Sequence, residues 1–229
     1  MCESFTDFIH TWHSLLLLMR VLCVGDSLTE GIGNVSVPYP ARLEAHLGAR
    51  DLAFNLGARH TIASRVCPAR ARDCRSYWAS PLLRHASAAN ATHAIFLFGT
   101  NDARYTKMDK FVSEYTELIR LFQRNPPIRI LIGVPPPLRW ADPDLVGPQT
   151  RSATIAEKAL PDLLRTVAAN VGADPPIDLR APWYERCPRT AGTCRLMQRD
   201  GLHPNNAGSE LIARTFARAL RHRESKRAS

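Results

Sequence analysis

No run of roughly 18 apolar residues occurs in this chain of 229 residues, so the sequence predicts no transmembrane helix. The best apolar stretch, Leu15 to Leu18, is cut short by Arg20. A secretory signal wants a basic start and a longer apolar core, yet the first ten residues carry Glu3 and Asp7 and neither Lys nor Arg. No standard signal peptide is read there. Lysine is scarce, at four of the 30 basic residues. The net charge of +9 and the pI of about 9.7 therefore rest on arginine, and an Arg bias with abundant Ala is what a GC-rich genome produces. Strings typical of RRM, KH or zinc-finger modules are missing, so no nucleic-acid partner is expected. His-Glu-x-x-His, a Gly-rich phosphate loop and Cys-x-x-Cys pairs are missing too, and catalysis is expected to need no metal or cofactor.

What remains is a globular composition, with 45% hydrophobic and 22% charged residues. The length suits one domain whose core needs no staples. Strand and helix patterns alternate, which predicts an α/β fold around a mainly parallel sheet. Strands are predicted over 20–25, 51–56, 92–98, 128–134 and 177–179. Helices are predicted over 40–47, 76–89 (with Pro81 in its first turns or marking its true start), 108–124, 150–171 with a bend at Pro161, and 206–220. The body is taken as 19–222. Residues 1–18 form an extension with a short helix or an upstream start, and 223–229 a charged, frayed tail.

Three short strings carry chemistry: Gly25-Asp26-Ser27-Leu28, Gly99-Thr100-Asn101-Asp102 and Asp200-Gly201-Leu202-His203-Pro204-Asn205. Ligands of open parallel sheets bind at the carboxyl ends of the strands. Ser27 follows the first predicted strand, Asn55 to His60 the second and Asn101 the third, so independent motifs meet on one edge. A serine hydroxyl needs a base to become a nucleophile, and imidazole titrates near neutrality. Ser27 is the candidate nucleophile and His203 the candidate base. Asp200, three residues earlier, is placed to fix the ring tautomer. Asn101 and the Ser27 N–H are candidate donors to an oxyanion. Asp26 and Asp102 are expected to brace their turns. Gly25-Asp26-Ser27-Leu28 is followed by Thr29 and not Gly, unlike the nucleophile elbow of α/β-hydrolases.

Together the three strings resemble the GDSL, or SGNH, hydrolase family of esterases and lipases, from about Met19 to about Leu220. The resemblance implies a three-layer sandwich with about five strands and helices on both faces. It also implies a third oxyanion donor, a backbone N–H after the second strand. Members usually read Asn-x-Gly-x-Ser-Gly there, the later Gly being the donor. This chain reads Asn55-Leu56-Gly57-Ala58-Arg59-His60, so Gly57 and His60 both stand as candidates. His in place of Gly is less at ease at a positive φ. His60 can equally be a substrate contact or a surface loop residue.

Six cysteines are present, four of them in two matched strings, Cys67-Pro68 to Cys74-Arg75 and Cys187-Pro188 to Cys194-Arg195. Two disulfides, each closing its own loop, are favoured over four free thiols or a zinc site. Disulfides suit an oxidising compartment, and the sequons at Asn34 and Asn90 are compatible with secretion, the cytoplasm being the alternative. Arginines crowd the same loops: Arg65, Arg70, Arg72 and Arg75 in one, Arg186, Arg189, Arg195 and Arg199 in the other. They suit an anionic substrate, or form a solvated rim with no partner.

The sequence thus reads as a serine esterase acting on small esters, with short acyl or acetyl groups favoured, through an acyl-enzyme. An acyltransferase with the same triad and a non-catalytic binding module are the rival readings. The sequence assigns no oligomeric state.

Overall fold

A computed structural model of the chain describes residues 18–86, 90–123, 128–138, 154–187 and 194–228, with side chains described up to residue 225. In chain order the elements are β1 (Arg20–Gly25), α1 (Ser27–Glu30), α2 (Tyr39–His46), β2 (Leu52–Gly57), β3 (Thr61–Ile62), β4 (Arg75–Ser76), α3 (Leu82–Ala86) and β5 (His93–Leu97). They continue with α4 (Thr100–Tyr105), α5 (Phe111–Phe122), β6 (Arg129–Val134), a π turn at Ile155–Ala159, α6 (Leu160–Asn170), β7 (Ile177–Asp178), α7 (Arg180–Tyr184) and α8 (Asn206–Ala228).

The central sheet has five strands in the order β2-β1-β5-β6-β7, and every pairing is parallel. Successive side chains of a strand point to opposite faces. In β1, Leu22 and Val24 join Phe96 and Ile132 under α5 and α6, where Tyr115, Leu118, Leu164 and Val167 are buried. Val21 and Cys23 join Ile95 and Leu131 on the other face, under Leu43 of α2 and Ile212 and Phe216 of α8. Covering both faces explains why these strands read as nearly continuous apolar runs. The result is the three-layer α/β sandwich expected from the sequence. The chain first steps from β1 to β2, then crosses to β5 on the other side of β1. That reversal opens a crevice between the carboxyl ends of β1 and β5, the usual ligand position in such sheets.

Several predicted elements change shape. Residues 76–89 do not form one helix. Ser76 pairs with Ile62 in a small parallel ladder and Tyr77–Ala79 makes a 3-10 turn, while α3 starts at Leu82, so that Pro81 marks its true start, one of the two placements expected. Long-range bonds override the local pattern: the Tyr77 hydroxyl donates to Leu56 O and Trp78 Nε1 to Ala63 O. The bend expected at Pro161 is a π turn ending where α6 begins, with the proline in the first positions of α6. The closing helix runs on to Ala228 where 223–229 was expected to fray. Glu224 meets Arg129 and His93, and Arg223 Nε lies 3.2 Å from Asp174, so this last stretch is tied to the sheet. Residues 1–17, 87–89, 124, 150–153 and 229 of the predicted segments lie outside the described residues.

Both cysteine loops close on themselves, Cys67 to Cys74 and Cys187 to Cys194. No helix among the described residues is long and apolar enough to cross a membrane.

Candidate active site

Asp26 directly follows β1 and caps α1, its Oδ1 accepting from the Leu28 N–H at 2.9 Å. Ser27 is thereby the first residue of a one-turn helix, mostly buried at the carboxyl edge of the sheet. Asp200 and His203 reach it from a turn near the end of the chain, closed by the Met197–Pro204 bridge. Asp200 Oδ1 accepts from the N–H groups of Leu202 and His203, both at 2.9 Å. Its Oδ2 lies 2.6 Å from His203 Nδ1, and His203 Nε2 lies 3.0 Å from Ser27 Oγ. Burial pushes the Asp200 carboxyl up, but the backbone and ring N–H groups of His203 and the Leu202 N–H outweigh it and hold the group below its ordinary value. An ionised carboxylate only accepts, so Nδ1 carries the ring hydrogen and Nε2 is left to accept from the Ser27 hydroxyl. Asn205 then caps α8, accepting from the Ala207 and Gly208 N–H groups at 2.9 and 3.1 Å, which sets the turn on a rigid helix.

Asn101 leaves β5 on the short helix α4 and faces the same crevice. Its Nδ2 donates to Thr61 O at 3.0 Å and lies 3.5 Å from Asp26 Oδ2. Asp102 holds the neighbouring loop, accepting from the N–H groups of Ala63 and Ser64, both at 3.1 Å, and from the Ser64 hydroxyl at 2.9 Å. Burial pushes Asp102 up to about 6, against those bonds. Burial likewise pushes Asp26 up to about 7, the Leu28 N–H opposing and the nearby Asp102 adding to the rise.

The two candidates for the third donor differ. The Gly57 N–H donates to Asn55 Oδ1 at 2.9 Å. Gly57 has a packing role as well, since a Cβ there would come within 2.1 Å of the Glu30 nitrogen in α1. His60 sits at φ 63, in the left-handed region. The bonds of its backbone include Arg75 N–H to His60 O at 3.0 Å, and no acceptor meets its own N–H among the described residues. The same is true of the Ser27 N–H.

A cavity of about 580 Å³ opens beside Glu30, Gly57, Ala58, Thr61, Arg75 and Leu82; Ser27, Asn101 and His203 are not among its lining residues. A second cavity, of about 440 Å³, opens among His93, Arg129, Asp174 and Glu224 at the opposite end of the sheet. Its position at the amino ends of β5 and β6 separates it from Ser27. Of the predicted rim arginines, Arg65 is stacked over Trp78 at 3.6 Å and paired with Glu117. Arg70, Arg72, Arg75, Arg186, Arg195 and Arg199 are exposed, and Arg189 lies outside the described residues. Cys23 is buried, and burial pushes its thiol far above the ordinary range, which leaves it inert as a nucleophile. No group of three or more His, Cys, Asp or Glu among the described residues could hold a metal ion.

Sequence reasoning missed Gln198, which lies between the nucleophile segment and the His203 turn. Its side chain bonds Ile32 and Asn34 across 166 and 164 residues, a separation that no local pattern signals.

Comparison with known proteins agrees with this architecture. The model of the GDSL-like Lipase/Acylhydrolase family matches residues 23–211. A proposed arylesterase from Agrobacterium tumefaciens str. C58 is 23% identical, with TM-score 0.66, over 90% of this chain and 99% of its own. A carbohydrate acetylesterase family member from Sinorhizobium meliloti is 21% identical, with TM-score 0.66, over 90% and 98%. The aryl esterase of M. smegmatis is 22% identical, with TM-score 0.65, over 89% and 99%. No curated protein matches the chain.

Proposed function

The chain belongs to the GDSL-like lipase/acylhydrolase family and is a carboxylic ester hydrolase, and from that premise we propose that it works through an acyl-enzyme on Ser27. The observation that carries this reading is the continuous line from Ser27 Oγ to His203 Nε2 at 3.0 Å and from His203 Nδ1 to Asp200 Oδ2 at 2.6 Å. Ser27 Oγ attacks the ester carbonyl while His203 takes its proton. The resulting imidazolium is stabilised by ionised Asp200, then protonates the leaving alcohol. Water, deprotonated by the same ring, releases the acid and restores Ser27.

The tetrahedral oxyanion meets the Ser27 N–H and the Asn101 amide. Asn101 gives one amide hydrogen to Thr61 O, and the other, at the outer limit of bonding to Asp26, is weakly held and free to turn to the substrate. For the third donor His60 is favoured over Gly57, because the Gly57 N–H is already committed to Asn55.

The proposed substrates are short acyl or acetyl esters, in line with the acetylesterase and aryl esterase among the solved neighbours. The cavity beside the Gly57–Thr61 wall offers room for part of such a substrate, and the Arg75 guanidinium lining it suits an anionic one. The two disulfides favour an oxidising, extracellular setting. The test is hydrolysis of p-nitrophenyl acetate together with labelling by a fluorophosphonate. Wild type is expected to turn over and to be labelled once. Ser27→Ala is expected to do neither, and labelling that survives this substitution overturns the assignment.

A further inference from the structure

Ser27 and His203 are 176 residues apart, and their contact depends on how two separate loops are held together. One loop follows α1 from Gly31 onward; the other is the turn that carries Asp200 and His203. We infer that Gln198 is the positioning residue that sets the spacing between these loops and so aligns His203 on Ser27. The inference rests on the acyl-enzyme reading above.

Gln198 is built into the His203 turn by its backbone. Its N–H donates to His203 O at 2.8 Å, and its O accepts from the Gly201 N–H at 3.1 Å. Its side-chain amide then reaches in both directions. Nε2 donates to Pro204 O at 2.9 Å, beside the catalytic base, and to Ile32 O at 2.8 Å, in the loop after the nucleophile helix. Oε1 accepts from the Asn34 N–H at 3.2 Å in that same loop. Both amide hydrogens are used, so the amide has one orientation and cannot turn without losing a bond to each loop.

The opposite loop is shaped around this amide. Gly33 takes φ +75, and a Cβ there would lie 2.2 Å from Gln198 Oε1. Only glycine both adopts that conformation readily and leaves the space. A second polar tie between the same loop and the closing helix runs through Asn206, whose Oδ1 accepts from the Ser36 N–H and hydroxyl, both at 3.0 Å. Asn206 lies beyond His203, at the start of α8, and its side chain is bonded to Ser36 and Arg42. Gln198 makes its tie from inside the turn, where its N–H is bonded to His203 O and its O to the Gly201 N–H. Its effect falls on a contact whose strength declines steeply with distance and angle, and a misplacement of about 1 Å can cost on the order of 100-fold in rate.

Gln198→Met keeps the length of the side chain and removes all three amide bonds. Gln198→Glu keeps an acceptor for Asn34 but sets a carboxylate against two carbonyl oxygens. Gly33→Ala pushes the amide out from the other loop. All three, with Ser27→Ala and wild type, are to be assayed on p-nitrophenyl acetate and titrated with a fluorophosphonate, so that kcat is expressed per reactive serine. The expected result is a kcat per titrated site lower by about 10- to 100-fold, with KM within about twofold. The Gln198→Met, Gly33→Ala double variant is expected to be no worse than the poorer single one. A purely structural role lowers the titrated fraction or the melting temperature and leaves kcat per site at the wild-type value; that result for Gln198→Met and Gln198→Glu overturns the inference. Independent, multiplying losses in the double variant overturn it too. The Ser27→Ala arm separates the two levels: loss of labelling there upholds the acyl-enzyme reading whatever Gln198 does, and retained labelling removes the premise and the inference together.

Discussion

Asp26 and Asp102 are both fully shut off from solvent beside Asn101, and the Asp102 charge adds to the burial that keeps Asp26 protonated up to about pH 7. One carboxyl caps the nucleophile helix and the other holds the loop at Ala63 and Ser64, so the machinery is framed by two acids that ionise reluctantly.

A pH dependence of stability follows. The folded state binds protons at Asp26 and Asp102 more tightly than the unfolded chain does. Their contribution to stability is therefore complete below about pH 4 and is lost as pH rises through about 6 and about 7. Asp200 has the opposite sign: its lowered value contributes above the ordinary carboxyl range and is lost as pH falls below it. Urea midpoints between pH 4 and 8 are expected to fall less steeply with pH in Asp26→Asn than in wild type. Equal slopes would show that Asp26 is ionised across the whole range.

Ser27 and His203 are expected to act as a unit, as their 3.0 Å contact implies. Ser27→Ala and His203→Ala should each remove most of kcat, and the double variant should be little worse than either. Asn101→Ala should lower kcat by roughly two to three orders of magnitude with little change in KM, because its amide meets charge present only in the transition state. A change mainly in KM would make Asn101 a ground-state binding residue.

His60 is held at φ 63 beside the proposed oxyanion site, a conformation that costs a non-glycine residue about 1 kcal/mol. His60→Gly keeps the N–H and relieves the strain, so kcat should be preserved while stability is unchanged or rises by up to about 1 kcal/mol. Thermal melts and kinetics on p-nitrophenyl acetate check this. A lower kcat/KM with raised stability would assign the imidazole itself to substrate contact.

The disulfides should differ in what they protect. Cys187 and Cys194 are buried in the apolar cluster that also holds Leu28, Trp183, Leu196 and Met197, at the entrance to the His203 turn. The Cys67–Cys74 bridge closes a more exposed loop. Replacing Cys187 and Cys194 by Ser should cost stability, by about 2–4 kcal/mol, and kcat together. The same change at Cys67 and Cys74 should leave kcat nearly intact. Denaturant curves and kinetics of the two paired variants decide it, and equal losses of kcat would show no special tie to the catalytic turn.

The parts legible in the sequence were those with local signatures. The buried strands β1, β5 and β6 write themselves as short apolar runs, and these and the more exposed edge strands β2 and β7 were all found to within a residue or two at each end. Ser27, Asn55 to His60 and Asn101 stood out as candidates because they follow strands that share one edge, and Asp200 with His203 because of their three-residue spacing. In the 76–89 segment only the part before Pro81 misled, because bonds from Tyr77 and Trp78 to distant carbonyls outweigh a helical pattern there. The helices α1 and α4 are too short for any period to register. Gln198 was invisible for a different reason: its role lies in pairings with Ile32 and Asn34 that exist only once the ends of the chain meet.

The rim of exposed arginines offers the last test. Arg70 and Arg72 are exposed on the Cys67–Cys74 loop, and Arg195 and Arg199 are exposed on the segment that leads into Asp200. Positive charge around a cleft raises the local concentration of anionic substrate and speeds its capture. Such steering is lost when the screening length shrinks to about 3 Å at 1 M salt. The comparison is kcat/KM for a neutral and an anionic ester of the same acyl group, at low and high salt. The anionic ester should be favoured at low salt, and the advantage should fall at high salt and in the Arg70→Ala, Arg72→Ala variant. A purely contact-based preference for the anion would persist at high salt. Equal salt dependence of the two esters would leave the arginines as a solvated rim with no part in substrate choice.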